Sequence, residues 1–209
     1  DHLPRKDRVR LLSHCEPVPL VLGEVMYQPG LPTRYIYFPI DGFISLLVLV
    51  DGKPALEVGM VGREGMLGAQ LALGLTTAPL HALVQGRGTA WRIGTAAFRR
   101  ELALSAALQR RLNRYLYVLM AQLAASAACL RFHQIGPRLG RWLLMSQDRA
   151  YSDTFPVTHE FLVAAGALQR QGLIEYHHGE LRVLDRAGLE LAACGCYAAD
   201  RKTYSEMMD

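Results

Sequence analysis

The residues whose types and spacing best suit a binding or chemical role lie in a glycine-spaced, charged segment. It runs from Val61 to Gly68 with the sequence VGREGMLG. Its three glycines let the backbone approach another group closely. The residues from Met66 to Leu73 could form one or two helical turns, whose N-terminal amides would suit an anion. A glycine-rich corner that only turns the chain would look the same, and the sequence leaves both interpretations open.

Other reactive side chains are dispersed along the sequence. The cysteines form no CxxC pair and are Cys15, Cys129, Cys194 and Cys196. This usage favours a reducing, cytoplasmic setting. The histidines of the first half are too scattered for a metal enzyme and are His2, His14 and His81. We therefore predict no metal site, no cofactor and no enzyme activity, because no plausible catalytic set is present.

Size and charge set broad limits on function. The 209 residues suit one or two domains, and the net charge of +4 is mildly basic. No apolar run reaches membrane-spanning length and the first residues lack a signal-peptide core, so we expect no membrane partner. Residues 102–147 contain no acidic residue. This acid-free stretch indicates either a positive field for nucleic acid or a solvated helix face, and it carries Arg110, Arg111, Arg114, Arg131, Arg138 and Arg141.

A long helix organises the elements around these residues. The stretch from Ser105 to Gln134 has no Gly or Pro and would form a helix of about 45 Å. Apolar residues recur in steps of four and three, a spacing typical of paired helices. We predict a dimerisation helix over residues 105–135, ended by Gly136-Pro137, although a long core helix of one domain is the alternative. The predicted dimer seam is Leu112, Leu116, Leu119, Leu123, Ser126 and Leu130.

The flanking regions differ in pattern. Residues 1–104 contain a short amphipathic helix over residues 4–15 and then many short strands with Gly or Pro turns, including the hairpin signal Asp51-Gly52. This pattern predicts a jelly-roll barrel. Residues 136–209 read as helices, a two-stranded hairpin turning at His178-Gly179 and a closing helical stretch, which is the order of a winged helix-turn-helix domain. The predicted fold class is therefore α+β.

The chain resembles the Crp/Fnr family of bacterial transcription regulators over nearly its whole length. The family's opening barrel strands resemble two stretches here, LGEVMYQPG and YIYFPIDGFISL. Its phosphate-binding cassette corresponds in position to VGREGMLG. Its DNA-binding domain resembles three stretches, RLGRWLLMSQDR, FPVTHEFL and GALQRQGLIEYHHGELRVLDRAGLE. The resemblance implies a homodimer that binds a near-palindromic site on double-stranded DNA. It also implies RNA polymerase and an unidentified small-molecule effector as further partners.

The effector pocket that the resemblance implies departs from the family pattern. Its members are Gly62, Arg63, Glu64, Gly65, Met66, Thr76, Thr77, Leu123 and Ala124. Cyclic-nucleotide binders of the family use an Arg to neutralise the phosphate, but the corresponding stretch from Thr76 to Leu80 has none. Burying a phosphate without its cation is costly, so we predict that cAMP is not the effector.

The DNA-binding set has a second departure. Its predicted members are Arg138, Arg141, Thr158, His159, Gln169, Arg170, His177 and His178. About a dozen residues that would form the turn and recognition helix are missing between Leu162 and Val163. Either the chain has a real deletion, or a disordered segment has been left out at this point. We favour the second explanation, because a recognition helix is exposed and few contacts hold it without DNA. A real deletion would favour a ligand-binding or interaction protein that no longer binds DNA.

Overall fold

The N-terminal half of the chain is a two-sheet barrel preceded by a short helix. The computed structural model describes residues 3–156, 162–177 and 179–208. Helix α1 is Arg5–Leu12, as predicted. The strands that follow are β1 Glu16–Leu20, β2 Val25–Tyr27, β3 Tyr35–Pro39, β4 Phe43–Val48, β5 Leu56–Val61, β6 His81–Gly86 and β7 Gly88–Gly94.

The two sheets have the orders β1-β7-β3 and β2-β6-β4-β5, and all of their pairings are antiparallel. The turn between β4 and β5 is the predicted one, with Gly52 at a φ of 68°, a conformation that glycine adopts without a side-chain penalty. Buried residues from both sheets meet in one core, among them Tyr37, Ile44 and Ala90. These observations confirm the predicted barrel.

Two helices follow the last barrel strand. Helix α2, Thr95–Leu104, was not anticipated from the sequence, which was interpreted as β up to residue 104. Ser105 then caps helix α3, Ala106–Phe132, because its hydroxyl accepts a hydrogen bond from the amide of Leu108. The long helix was therefore predicted correctly in type and start.

The end of α3 differs from the prediction. His133 and Gln134 both have extended backbones, and helix α4 begins at Ile135. Gly136 and Pro137 consequently lie in the first turn of α4, where a proline removes no hydrogen bond because these amides have no intrahelical partner. The break between the two helices lies at residues 133–134 and not at Gly136-Pro137.

Helix α3 is also the one helix of the described chain that is long and apolar enough to cross a membrane by length and composition. That criterion is weak here, because the core helix of a water-soluble protein meets it as well. Its inner face packs against α2, β5, the 3-10 helix Ala69–Leu73 and the last helix of the chain.

The C-terminal domain starts with α4, Ile135–Ala150. Its remaining elements are β8 Thr154–Pro156, α5 Leu162–Arg170, β9 Ile174–His177, β10 Glu180–Val183, α6 Arg186–Ala192 and α7 Cys196–Met208. The strands form a small sheet of order β8-β10-β9, and Gly179 in the turn after β9 has a φ of 89°. The predicted wing is therefore present, and the closing stretch divides into two helices.

Helix α5 runs through the junction of Leu162 and Val163 without a break. Both explanations for the missing recognition segment, a real deletion and an omitted stretch, stay predictions. Between β8 and β9, one helix is present among the described residues, where a helix-turn-helix needs two.

The barrel and the C-terminal domain share a core. Phe43 and Met60 of the barrel belong to the same buried cluster as Leu143 and Leu144 of α4. The indole Nε1 of Trp142 donates a hydrogen bond of 2.7 Å to Glu57 Oε1, and the hydroxyl of Ser45 donates one of 2.6 Å to Glu57 Oε2. Burial raises the pKa of Glu57 from 4.5 to about 7, although these two hydrogen bonds favour the ionised form.

We expect Glu57→Gln to remove a pH dependence from the free energy of unfolding. Since the pKa of Glu57 is raised in the folded chain, the folded state binds more protons than the unfolded state between about pH 4.5 and about pH 7. The carboxyl therefore contributes stability below this interval and loses the contribution as the pH rises through it. The loss should be about 3 kcal/mol, measured by urea unfolding across the interval.

The matched control is Glu24→Gln, at an exposed turn before β2. Its unfolding free energy should follow that of the wild-type chain at every pH. Parallel curves for Glu57→Gln and the wild type would contradict the assignment of a raised pKa to Glu57.

Candidate functional site

The glycine-spaced segment forms a tight loop at the end of β5, directly against α4. The loop closes with a hydrogen bond of 3.0 Å from the amide of Gly65 to the carbonyl of Gly62. It continues into a bridge between Leu67 and Tyr37 and then into the 3-10 helix Ala69–Leu73. The loop is therefore anchored on the barrel at both ends, and its middle is turned toward the C-terminal domain.

Glu64 links this loop to two helices of the C-terminal domain. Its Oε1 lies 2.8 Å from Nε of Arg149 on α4, an ion pair whose N–H is not aligned for a hydrogen bond. The same oxygen accepts a hydrogen bond of 3.2 Å from the amide of Gly62. The hydroxyl of Tyr204 on α7 donates one of 3.2 Å to the Glu64 carbonyl. Arg149 is buried and donates through Nη1 to the carbonyl of Met145, so its position is fixed.

The glycines of the loop make room for side chains of the same chain. A Cβ at Gly62 would lie 2.5 Å from Cγ of Arg149, and a Cβ at Gly65 would overlap the ring and hydroxyl of Tyr115 on α3. Other groups therefore do come close to this backbone, whereas the anion site expected after the loop stays a prediction. The groups that approach are an arginine and a tyrosine of this protein.

Arg63 makes a further contact with the end of α4. Its guanidinium lies 4.6 Å from the ring centroid of Tyr151, within the range of a cation–π interaction. Tyr151 caps α4 in the left-handed conformation, with a φ of 52°. A non-glycine residue adopts this conformation at some cost, so surrounding contacts must hold it.

The residues predicted for the effector pocket do not converge. Gly62, Arg63, Glu64 and Gly65 contact the C-terminal domain and α3, as described above, and Met66 is buried in the core below α3. Thr76 and Thr77 are exposed and pair instead with the loop before β3, where the Thr33 amide donates to the Thr76 carbonyl at 2.7 Å.

The two residues of α3 predicted for the pocket also lie apart. Leu123 is half-buried against Gly59, and Ala124 is exposed. A cavity of about 260 Å³ lies between β2 and β3, and its lining contains none of the predicted effector residues.

The structure removes Arg141 from the candidate DNA contacts. Arg141 is buried, its Nη2 lies 2.6 Å from Asp200 Oδ2 on α7, and it also donates to the hydroxyl of Ser126 on α3. A buried cation with these partners holds three helices together and cannot reach a phosphate. The sequence could not show this, because Asp200 lies 59 residues away.

The other predicted DNA contacts lie at several points of the C-terminal domain. Arg138 is half-buried in the first turn of α4, whereas Gln169 and Arg170 are exposed at the end of α5. His177 is exposed on the wing, with Nε2 3.3 Å from Glu175 Oε1. Thr158, His159 and His178 lie outside the described residues.

The predicted dimer seam faces the protein's own barrel and C-terminal domain. Leu112 is buried in a core with Phe98 and Ile93, and Ser126 is buried beside Arg141. Leu116 and Leu119 are half-buried against the barrel cores. The heptad spacing was correct, but this row of side chains holds the helix to its own chain, and Leu123 and Leu130 are likewise half-buried.

A neighbouring row of α3, rotated by about 100° from the predicted seam, is exposed and apolar. Tyr117 is 55% exposed and Met120 is 67% exposed, and Ala124 and Ala127 follow them in steps of four and three. A sequence search for a second heptad row could have found it, because the two rows have the same spacing and differ only in what covers them.

One group of potential metal ligands is present among the described residues. Cys129, His133, Cys194 and Cys196 come together where α3 meets the connection between α6 and α7. These residues are far apart in the sequence, so their grouping was not predicted.

No protein-family model and no curated protein matches this chain. Solved structures do match over most of its length. A CRP-family transcriptional regulator from Thermus thermophilus is 19% identical with a TM-score of 0.67, and the match covers 84% of this chain and 96% of that one. FixK2 from Bradyrhizobium japonicum is 14% identical with a TM-score of 0.61, covering 86% and 98%. The c-di-GMP-responsive global regulator CLP from Xanthomonas campestris is 18% identical with a TM-score of 0.58, covering 86% and 99%.

These similarities agree with the observed order of elements. A β-barrel, a long helix and a domain with a small three-stranded sheet follow one another in this chain, and the matches cover nearly the whole of each similar structure. At identities below a quarter, the likeness concerns architecture. The chain has the fold of the Crp/Fnr transcriptional regulators.

Proposed function

We propose that this protein is a homodimeric transcriptional regulator that binds DNA through its C-terminal domain and does not respond to cAMP. The observation that carries the proposal is the direct contact between the barrel loop at residues 62–66 and α4, the helix that begins the C-terminal domain. In a fold of this type, such a contact lets a change at the barrel alter the position of the domain that meets DNA.

The route for this coupling is short. Glu64 is paired with Arg149, and Arg63 stacks on Tyr151, so both charged residues of the loop contact the last turn of α4 or its cap. A ligand that competes for either charge would therefore act on α4 directly. The partners implied in addition, RNA polymerase and an unidentified effector, belong to the same proposal.

The loop geometry supports the absence of a cAMP response. The carboxylate of Glu64 is already paired with Arg149, and Tyr115 and Arg149 occupy the space beside Gly65 and Gly62. The exposed Thr76 and Thr77 supply no cation for a cyclic phosphate. A cyclic nucleotide would have to break the ion pair of Glu64 and displace a buried arginine before it could bind.

Dimerisation is proposed through the exposed row of α3. The row presents Tyr117, Met120, Ala124 and Ala127 along one side, and the alanines permit close approach of a second helix. Exposed apolar rows of this length favour pairing with an identical row across a two-fold axis. Two C-terminal domains related by this axis would meet two half-sites about one helical turn apart.

A second candidate function is an interaction protein whose C-terminal domain does not bind DNA. Residues 136–209 contain 8 Lys and Arg against 10 Asp and Glu. This acidic balance gives little of the electrostatic attraction on which DNA affinity depends. The burial of Arg141 favours the same alternative.

We expect Met120→Glu to convert the dimer into a monomer. The substitution would place two carboxylates opposite each other in an apolar contact, which should weaken association by about 100-fold or more. Light scattering coupled to size-exclusion chromatography measures the mass directly.

The matched control is Leu191→Glu, which adds the same charge at a residue of α6 that is 90% exposed. This variant should remain dimeric. A monomeric wild-type chain at micromolar concentration, or a dimeric Met120→Glu variant, would show that α3 does not pair two chains in this way.

DNA binding is tested by selection from a random-sequence duplex library. The proposal expects enrichment of a near-palindrome, with half-sites about one helical turn apart. Arg170→Ala, at the exposed end of α5, should lower the salt dependence of binding by about one unit of slope, because one phosphate contact is lost. Lys53→Ala, in the exposed turn between β4 and β5, serves as the control and should leave the slope unchanged.

Failure to enrich any sequence, together with no measurable binding at low salt, would reject the regulator and favour the interaction protein.

Adding cAMP at about millimolar concentration should leave the affinity for the selected site unchanged, since a saturable cAMP site would raise or lower it by linkage. A cAMP-dependent change in affinity would contradict that part of the proposal.

A further inference from the structure

Four side chains with metal-binding atoms meet at the junction of α3 and the C-terminal domain. Cys129 and His133 stand four residues apart, in the last turn of α3 and at its cap. Cys194 lies between α6 and α7, and Cys196 begins α7. The sulfur atoms and a ring nitrogen of these residues all lie within 4.8 Å of one another.

Their separations match those around a single ion. The Sγ atoms of Cys129 and Cys194 are 3.5 Å apart, and Sγ of Cys196 is 3.6 Å from Nδ1 of His133. In a tetrahedral zinc site with Zn–S bonds of about 2.3 Å, neighbouring sulfur ligands lie about 3.8 Å apart. Small side-chain adjustments would bring all four atoms to these positions.

We propose that Cys129, His133, Cys194 and Cys196 bind one Zn²⁺ ion in a tetrahedral Cys₃His site that fastens the end of α3 to the connection between α6 and α7. Three thiolates and an imidazole form one of the common structural zinc sets. Four protein ligands leave no open coordination position, so the site is structural and supplies no catalysis. The proposal is independent of whether the protein binds DNA.

The backbone around the site is held by contacts that do not involve the four ligands' side chains. The amide of Cys194 donates a hydrogen bond of 3.1 Å to the carbonyl of Pro137. Gly140 allows α4 to pack closely on the same connection, since a Cβ there would lie 3.1 Å from Cα of Ala193. The ligands are thus presented by a preformed junction, which lowers the cost of ordering them around an ion.

The burial of the four residues suits uptake of an ion from solvent. Cys129 and Cys194 are buried, Cys196 is half-buried and His133 is exposed, so the group is open on one side. Zn²⁺ would displace the thiol protons on binding, which makes its affinity increase with pH.

A cation near the group offsets its charge. Three thiolates and Zn²⁺ carry a net negative charge, and the guanidinium of Arg141 interacts electrostatically with both Cys129 and Cys196. Arg141 is held in place by Asp200 and Ser126. The arginine that was predicted to contact DNA is thus placed to support the metal site.

The location gives the ion a mechanical role. Cys129 and His133 precede the extended residues between α3 and α4, whereas Cys194 and Cys196 follow the whole wing region in sequence. A bound ion would therefore link the two sides of this break and restrict movement of the C-terminal domain relative to α3.

The proposal is tested first by metal binding to the wild-type chain. Protein purified without chelators should contain about one zinc per chain, measured by mass spectrometry of the elements. Reduced, metal-free protein titrated with Co²⁺ should develop the visible absorption of tetrahedral cobalt and the near-ultraviolet bands of thiolate ligation, saturating at one equivalent. Zn²⁺ should then displace the cobalt and bleach both sets of bands.

The variants His133→Ala and Cys196→Ser remove ligands that are not fully buried, so both should fold, which circular dichroism checks. Each should weaken Co²⁺ affinity by about 100-fold or more, because a tetrahedral site loses one of four ligands. Cys15→Ser removes the cysteine outside the group and is the matched control, with unchanged affinity and spectrum.

Several results would overturn the proposal. One is a wild-type chain that is reduced and folded but gives no thiolate-to-cobalt bands at stoichiometric metal. Another is equal metal binding by the wild type and by both ligand variants. A third is a disulfide between Cys129 and Cys194 in the purified protein that, once reduced, yields a chain with no metal uptake. This last result would assign the short sulfur–sulfur distance to redox chemistry instead.

Discussion

The packing of α4 against the barrel is the interaction on which the rest of the structure depends. Leu143 and Leu144 of α4 share a core with Phe43 and Met60 of the barrel, and each fully buried side chain of this size contributes about 1.5–3 kcal/mol. This apolar contact sets the distance between the two domains. The polar contacts at its edge then fix their orientation, because hydrogen bonds and ion pairs are directional while apolar burial is not.

The edge contacts all involve groups that would be costly to leave unpaired. Glu57 accepts hydrogen bonds from both domains, and Arg149 is buried beside Glu64. Separating the domains would expose the apolar core and would require water to replace these partners. These contacts define the position of the C-terminal domain in this structure, and the extended residues 133–134 allow the chain to turn from α3 into α4 at this point.

The sequence predicted most of the fold but only part of the candidate site. Strand spacing, the turn at Gly52 and the length of α3 are local properties, so periodicity and turn chemistry predict them. The spacing of apolar residues does not show which surface covers a given row of a helix. For this reason the row containing Leu112 was predicted to contact a partner chain, whereas in the structure it packs on the barrel of its own chain. The burial of Arg141 and the grouping of Cys129 with Cys194 depend on residues about 60 positions apart, and no local pattern shows them.

The central claim, that α4 joins barrel and C-terminal domain into one cooperative unit, can be tested with the two tryptophans of the chain. Trp91 lies on β7, and Trp142 lies at the contact with Glu57. In a Trp91→Phe variant, the fluorescence of Trp142 reports the domain contact, and far-ultraviolet circular dichroism reports the whole fold during the same urea titration. The account predicts that both signals change at one midpoint. A Trp142 transition that is complete at lower urea, while the strands of the barrel remain folded, would contradict it.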